Sequence, residues 1–140
     1  MAQYGPAVIV IDTNILAYFW LPSDLSGMAE QALQKDPDWA APLLWRSEFL
    51  NMLAGALRGK KLSFDGALQL LREAEAQMGG HEYTAPSDRV LELVHETTCS
   101  AYDCEFVALA QDLDLPLLTE DRQILTAFPQ VAVSLSQFCA

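Results

Sequence analysis

The stretch AVIVIDTN, at residues 7–14, constrains the fold more than any other part of this sequence. Its first five residues are apolar and mostly β-branched, and an acid, Asp12, follows them directly. A short continuous apolar run of this kind is typical of a strand buried on both faces in a parallel sheet. In such sheets, ligands bind outside the carboxyl ends of the strands. Asp12 is therefore expected at the edge of the sheet where a functional site would form.

The rest of the chain alternates between helical and extended patterns. Apolar spacing and helix-ending residues predict helices at 13–20, 26–35, 42–57, 63–78, 87–97, 100–113 and 121–127. Short apolar runs predict further strands at 38–41, 81–85, 115–119 and 131–134. Strands that alternate with helices form βαβ units around a mostly parallel sheet. We therefore expect one α/β domain that spans residues 1–140.

Composition limits the classes of function. The net charge is −11, with eight Lys and Arg against nineteen Asp and Glu, which counts against tight non-specific binding of nucleic acid. No apolar run approaches the roughly twenty residues that span a bilayer, and no signal peptide is recognisable. The three cysteines lack the spacing of a zinc site or a disulfide framework. We expect a cytoplasmic protein with no membrane association.

Each of four acids has an ordinary structural explanation. Asp12 and Asp121 both stand where they can cap a following helix, and Asp103 lies three residues after Ser100, at the spacing of a capping box. Glu48 lies inside the most apolar helical segment, where it either reaches water at the rim or is paired.

The neighbouring Glu120 is an alternative to Asp121, depending on the direction of the turn. Taken together, however, convergence of the four acids on one crevice is the simpler explanation. Crowded carboxylates repel each other unless they are protonated or bridged by cations. Hard oxygen ligands of this kind suit Mg²⁺ or Mn²⁺.

Four segments together resemble the PIN-domain ribonucleases, and in particular the small VapC-type toxins of toxin–antitoxin pairs. The segments are VIDTN at 10–14, WRSEFLNML at 45–53, SAYDCEFVALA at 100–110 and LLTED at 117–121. They occur in the order that the family has, and the resemblance covers essentially the whole chain. It implies a five-stranded, mostly parallel sheet flanked by helices.

The resemblance also implies the site and its partners. Asp12, Glu48, Asp103 and Asp121 match the family's acidic quartet, which binds Mg²⁺ or Mn²⁺ and cleaves RNA. Thr119 and Asn14 match polar residues expected to orient these carboxylates through hydrogen bonds. Members of the family are homodimers that a small antitoxin protein neutralises.

The sequence also offers a weaker set of candidate RNA-contact residues and two alternative functions. The basic residues Arg58, Lys60 and Lys61 are candidates for RNA contact, although short charge runs of this kind are more often ordinary solvated turns. The rival from another class of function is a non-catalytic, dimeric PIN-like module that holds a partner protein, which the acidic composition favours. A haloacid-dehalogenase-type phosphatase is disfavoured, because Asn14 occupies the place of its second Asp.

Overall fold

In the computed structural model, which describes residues 7–140, five short strands pair side by side in one sheet. The strands are β1 (Ile9–Ile11), β2 (Trp39–Pro42), β3 (Glu82–Tyr83), β4 (Leu117–Leu118) and β5 (Ala132–Val133). Their order across the sheet is β3-β2-β1-β4-β5, and all four pairings are parallel. The predicted α/β class, with its mostly parallel sheet, is confirmed.

Eight helices connect and cover the strands in residues 7–140. They are α1 (Thr13–Trp20), α2 (Ser26–Lys35), α3 (Leu44–Arg58), α4 (Phe64–Met78), α5 (Ser87–Glu96), α6 (Ala101–Leu113), α7 (Arg122–Ala127) and α8 (Leu135–Cys139). The hydroxyls of Ser63 and Ser100 cap α4 and α6 by accepting backbone N–H bonds from the first turn of each helix. Because these caps form within a few residues of sequence, the starts of both helices could be predicted from the two serines.

The hydrophobic core lies on both faces of β1. Each residue of β1 is fully buried, as its unbroken apolar sequence predicts. Helix α6 packs on β1, β2 and β4, and its residues Phe106–Ala110 are all buried. Trp39, Trp45 and Phe49 contribute the largest buried side chains from β2 and α3. The central strand that carries Asp12 is therefore held from both sides.

Three details of the predicted elements are wrong. Pro42 pairs with Tyr83 as the last residue of β2, so α3 begins at Leu44 rather than at the proline. Residue type predicts Ser87 or Asp88 as the cap of α5, whereas this helix begins at Ser87 with Pro86 at its N-cap position. Helix α8 is absent from the predicted elements, although Ser134 and Gln137 form a reciprocal capping box at its start.

A charged cluster fixes α3 relative to the sheet. The Arg46 guanidinium binds both carboxylate oxygens of Glu82, through Nε at 2.6 Å and its second terminal nitrogen at 2.9 Å. Its other terminal nitrogen donates to Glu75 of α4 at 2.7 Å, and the indole of Trp45 donates to Glu82 at 2.8 Å. A bidentate contact of this kind fixes direction as well as distance. The first turns of α3 are thereby positioned against β3.

None of the helices described within residues 7–140 has the length and apolarity needed to cross a membrane.

Candidate active site

Asp12 lies at the carboxyl end of the central strand and is only 7% exposed. Its backbone N–H donates to the carbonyl of Leu118, which ties this position to β4. Although Asp12 occupies the N-cap position of α1, its side chain forms no capping bond. Instead, its Oδ2 accepts a 2.8 Å hydrogen bond from the hydroxyl of Thr119. Capping by the side chain therefore does not explain Asp12.

Thr119 links the ends of two adjacent strands. Its side chain is fully buried, and its hydroxyl donates to Asp12 while it accepts a 3.0 Å bond from the backbone N–H of Asp121. The Thr119 hydroxyl thus donates a hydrogen bond to Asp12 and accepts one from the backbone of Asp121. This geometry is the one expected of a residue that orients a neighbouring carboxylate.

The turn after β4 distinguishes its two acids. Asp121 does cap α7, because its Oδ1 accepts from the backbone N–H of Ile124 at 3.0 Å. Glu120 is turned the other way and accepts from the backbone N–H of Leu135 at the start of α8, at 2.8 Å. The charge of Asp121 acts on Asp103, where it contributes to a raised pKa. Of the two, Asp121 is therefore the acid that belongs with the group around Asp103.

Glu48 is half-buried in the second turn of α3 and has a partner that the sequence did not reveal. The hydroxyl of Thr13, in the first turn of α1, donates to its Oε1 at 2.7 Å. Thr13 itself is 1% exposed. The only sequence signal for this contact was the position of Thr13 directly after a strand-end acid, since its partner lies 35 residues further along the chain.

Asp103 lies in the first turn of α6, as predicted. Its backbone N–H donates to the hydroxyl of Ser100 at 3.1 Å. This bond satisfies a free N–H of the helix end, and it holds the first turn of α6 in place. Burial raises the pKa of the Asp103 carboxyl, the charge of Asp121 raises it further, and the Ser100 hydroxyl partly offsets both.

The charges of the four carboxylates act on one another, with Asp121 acting on Asp103. Burial raises the pKa of Asp12 to about 6, with further increases from the charges of Glu48 and Asp103 and an opposing effect of the Thr119 hydrogen bond. Burial also raises the pKa of Glu48; the Thr13 bond opposes this rise, and the charges of Asp103 and Glu105 add to it. Crowded carboxylates with raised pKa values are typical of functional sites.

The chemistry of these donors fits a hard divalent cation. Asp12, Glu48 and Asp121 each use one carboxylate oxygen in the hydrogen bonds given above, so the second oxygen of each is the one available to a ligand. A cation would also offset the repulsion that raises the pKa values. Within residues 7–140, however, no three Asp, Glu, His or Cys side chains are already arranged to hold a metal ion.

The remaining predicted site residues lie outside this group. Asn14 is exposed in the first turn of α1, next to Thr13. The basic residues Arg58, Lys60 and Lys61 are exposed at the other end of α3 from Glu48. Ten residues separate Arg58 from Glu48, which corresponds to about 15 Å along a helix axis. The structure thus does not bring the basic turn to the acids.

An apolar pocket of about 380 Å³ lies at the carboxyl ends of β2 and β3. Leu43, Tyr83, Leu91 and Glu105 are among the residues that line it. Leu43 and Leu91 are 51% and 70% exposed, which is unusual for large apolar side chains. The surface at this end of β2 and β3 is therefore largely apolar, and Glu105 is the acid that lines it.

Comparisons with known proteins agree with this arrangement. The family model of the PIN domain matches residues 9–132. The chain is 28% identical over 124 residues to a protein named Ribonuclease VapC3 from Pyrobaculum aerophilum, a match that covers 86% of this chain and 95% of the relative.

Three solved structures share the fold. PAE2754 from Pyrobaculum aerophilum has a TM-score of 0.75 at 20% identity, over 98% of this chain and 90% of its own. A toxin–antitoxin complex from Klebsiella pneumoniae has a TM-score of 0.66 at 22% identity, over 91% and 97%. FitAcB from Neisseria gonorrhoeae has a TM-score of 0.70 at 15% identity, over 92% and 99%. With the family model matching most of its length, this chain belongs to the PIN domain family.

Proposed function

We propose that this protein is a metal-dependent endoribonuclease that hydrolyses RNA phosphodiester bonds. The observation that carries the proposal is the electrostatic coupling of Asp12, Glu48 and Asp103, with Asp121 coupled to Asp103, at the carboxyl edge of one sheet. The similarity to Ribonuclease VapC3 supports RNA as the substrate.

The proposal assigns a role to each of the four acids. Asp12, Asp103 and Asp121 would hold Mg²⁺ or Mn²⁺, with Glu48 as a further ligand or as the group that positions and deprotonates the attacking water. The cation would polarise the phosphate and lower the pKa of the water. Thr119 orients Asp12 through its hydrogen bond. We retain Asn14, which is exposed beside Thr13, as a residue that can assist the carboxylates once a ligand is present.

We further propose that the protein is the toxin of a toxin–antitoxin pair and acts in the cytoplasm as a homodimer. A small antitoxin protein would be its partner, as in the toxin–antitoxin complex that shares its fold. The exposed Leu43 and Leu91 provide apolar surface of the kind that protein partners cover. Arg58, Lys60 and Lys61 would contact RNA at a distance from the cleaved bond.

The test uses two aspartates of the same helix. Asp103→Asn removes one proposed cation ligand, whereas Asp112→Asn removes an exposed charge further along α6. We expect Mn²⁺-dependent cleavage of single-stranded and structured RNA to fall at least about 100-fold in the first variant and to stay near wild type in the second. Equal activities in the two variants would contradict the proposed role. A wild type that binds Mn²⁺ and cuts none of the RNAs would favour the non-catalytic binding module.

A further inference from the structure

We infer that Thr13 is a positioning residue whose hydroxyl fixes the orientation of the Glu48 carboxylate. The inference rests on the proposed nuclease function and concerns the same site. The observation behind it is the 2.7 Å bond from the Thr13 hydroxyl to Glu48 Oε1, which joins α1 to α3. Neither the family resemblance nor the pattern of acids singled out Thr13.

The position of Thr13 in its helix explains why its hydroxyl is free for this contact. Threonines within a helix commonly donate to the carbonyl three or four residues earlier. Thr97, directly after α5, does so by donating to the carbonyl of Leu93 at 2.8 Å. Thr13 is the first residue of α1, so no earlier turn of helix offers it a carbonyl. The Thr13 hydroxyl donates instead to the Glu48 carboxylate, 35 residues away in the sequence.

The bond limits how Glu48 can move. A glutamate side chain has three rotatable bonds and loses considerable freedom when it is fixed. A hydroxyl bond to a carboxylate at this distance is of the short, charge-assisted kind. Because the bond engages Oε1, Oε2 would be the oxygen of Glu48 that could contact a water or a cation. Thr13 therefore acts on the reaction through Glu48.

Burial excludes direct roles for Thr13. Only 1% of the residue is exposed, so RNA cannot reach the hydroxyl. Burial also limits replacement of the bond by solvent. A valine at this position has nearly the same shape, and it leaves no room for a water that would donate to Glu48 in place of the hydroxyl.

The experiment compares Thr13→Val with Thr13→Ser. The serine keeps the donor and removes a methyl group, whereas the valine keeps the methyl group and removes the donor. Thr126→Val, in an exposed position of α7, is the matched control for removal of a threonine hydroxyl. For each variant we would measure the thermal midpoint in chelator, the Kd for Mn²⁺ by calorimetry, and kcat and KM for RNA cleavage.

We expect Thr13→Val to lower kcat and weaken Mn²⁺ binding by about 10- to 100-fold, the range typical of residues that support metal ligands. The KM for RNA should change much less. The kcat and Mn²⁺ affinity of Thr13→Ser should stay within about threefold of the wild-type values. The measurements are made at a temperature where every variant is folded. A folded Thr13→Val variant with wild-type kcat and Mn²⁺ affinity would overturn the inference, and so would equal losses in the valine and serine variants.

The two readouts separate this inference from the proposed function. If the wild type binds Mn²⁺ without cutting RNA, and Thr13→Val weakens that binding while Thr13→Ser does not, the nuclease proposal fails and the positioning role of Thr13 stands. If the wild type neither binds Mn²⁺ nor cuts RNA, both are wrong.

Discussion

At the scale of single residues, the buried acid at the end of the central strand departs furthest from the behaviour of a free side chain. Asp12 is almost fully buried, and its pKa is raised from 3.8 to about 6. A carboxyl group in this state is costly to ionise without a cation, and it becomes a good ligand once a cation is present. The fold therefore carries an unfavourable charge at a place where a ligand can relieve it.

This cost predicts a pH-dependent gain in stability for Asp12→Asn. Between pH 4 and about 6, the folded protein holds a proton on Asp12 that the unfolded chain has released, so the free energy of unfolding falls as the pH rises. The difference between 3.8 and about 6 corresponds to about 3 kcal/mol. In chelator, Asp12→Asn should exceed wild type by up to about that amount above pH 6, and the two should converge near pH 4.

Urea unfolding at pH 5 and at pH 7.5 measures this gain directly. Asp112→Asn is the control, because it makes the same substitution at an exposed position of α6. A difference between Asp12→Asn and wild type that is the same at both pH values would show that Asp12 does not titrate as described.

The sequence predicted single residues well where the chemistry is local. The continuous apolar run placed Asp12 at a strand end, and the spacing of Ser100 and Asp103 placed the start of α6. It did not predict that Thr13 binds Glu48, because that contact depends on how α1 and α3 pack. For the same reason it left Glu120 and Asp121 unresolved, since the direction of the turn depends on the position of α8.

At the scale of elements, the position of α3 decides whether Glu48 reaches the other acids. The bidentate contact of Arg46 with Glu82 and the bond of Trp45 to the same carboxylate hold the first turns of α3 against β3. The Arg46 bonds are the main reason why the pKa of Glu82 is lowered. Arg46 therefore has a structural partner in the fold.

Removal of this contact should weaken both the fold and the site. Arg46→Met leaves Glu82, whose side chain is 15% exposed, without its cation. We expect a decrease of about 1–2 kcal/mol in the free energy of unfolding at pH 7, reduced from the buried-pair value because Arg46 is 41% exposed. The decrease should shrink as the pH falls below about 4.5, because Glu82 then protonates in the unfolded chain.

The double variant Arg46→Met with Glu82→Gln isolates the pair, and urea unfolding of all four proteins gives the coupling energy. Recovery of part of the stability in the double variant is the expected result. Strictly additive effects would mean that the two side chains do not stabilise each other.

The elements themselves follow mostly from the sequence, with errors where pairing overrides local preference. Proline is favoured in the first turn of a helix, yet Pro42 is the last residue of β2 because β3 pairs beside it. Helix α8 is only five residues long, so its apolar pattern is too short to recognise. Its capping box, Ser134 with Gln137, is the local signal that identifies it.

At the scale of the whole molecule, the net charge of −11 must be reconciled with an RNA substrate. The dense basic residues lie at the end of α3, about 15 Å along the helix from Glu48. If they bind RNA, they contact phosphates away from the cleaved bond. Their contribution then belongs to substrate binding rather than to the chemical step.

Neutralisation of this turn tests that separation. Lys60→Asn suits the positive φ of 58° at this residue, and Lys61→Gln removes the adjacent charge. We expect a higher KM, an unchanged kcat, and a weaker salt dependence of RNA binding, with a log–log slope smaller by about 0.7 for each phosphate that the variant no longer binds. Arg72→Gln, exposed in α4, is the control. An unchanged KM and slope would exclude the basic turn from the RNA surface.

The most direct test of the proposed metal-dependent ribonuclease activity is the cleavage of a pool of structured and unstructured RNAs. Wild type and Asp12→Asn would each be assayed with Mg²⁺, with Mn²⁺ and with chelator. We expect wild type to cut only when a divalent cation is present and the folded Asp12→Asn variant not to cut, because Asp12 is the buried acid on which the charges of Glu48 and Asp103 both act. Cleavage that persists in chelator, or that Asp12→Asn retains at the wild-type rate, would contradict the proposal.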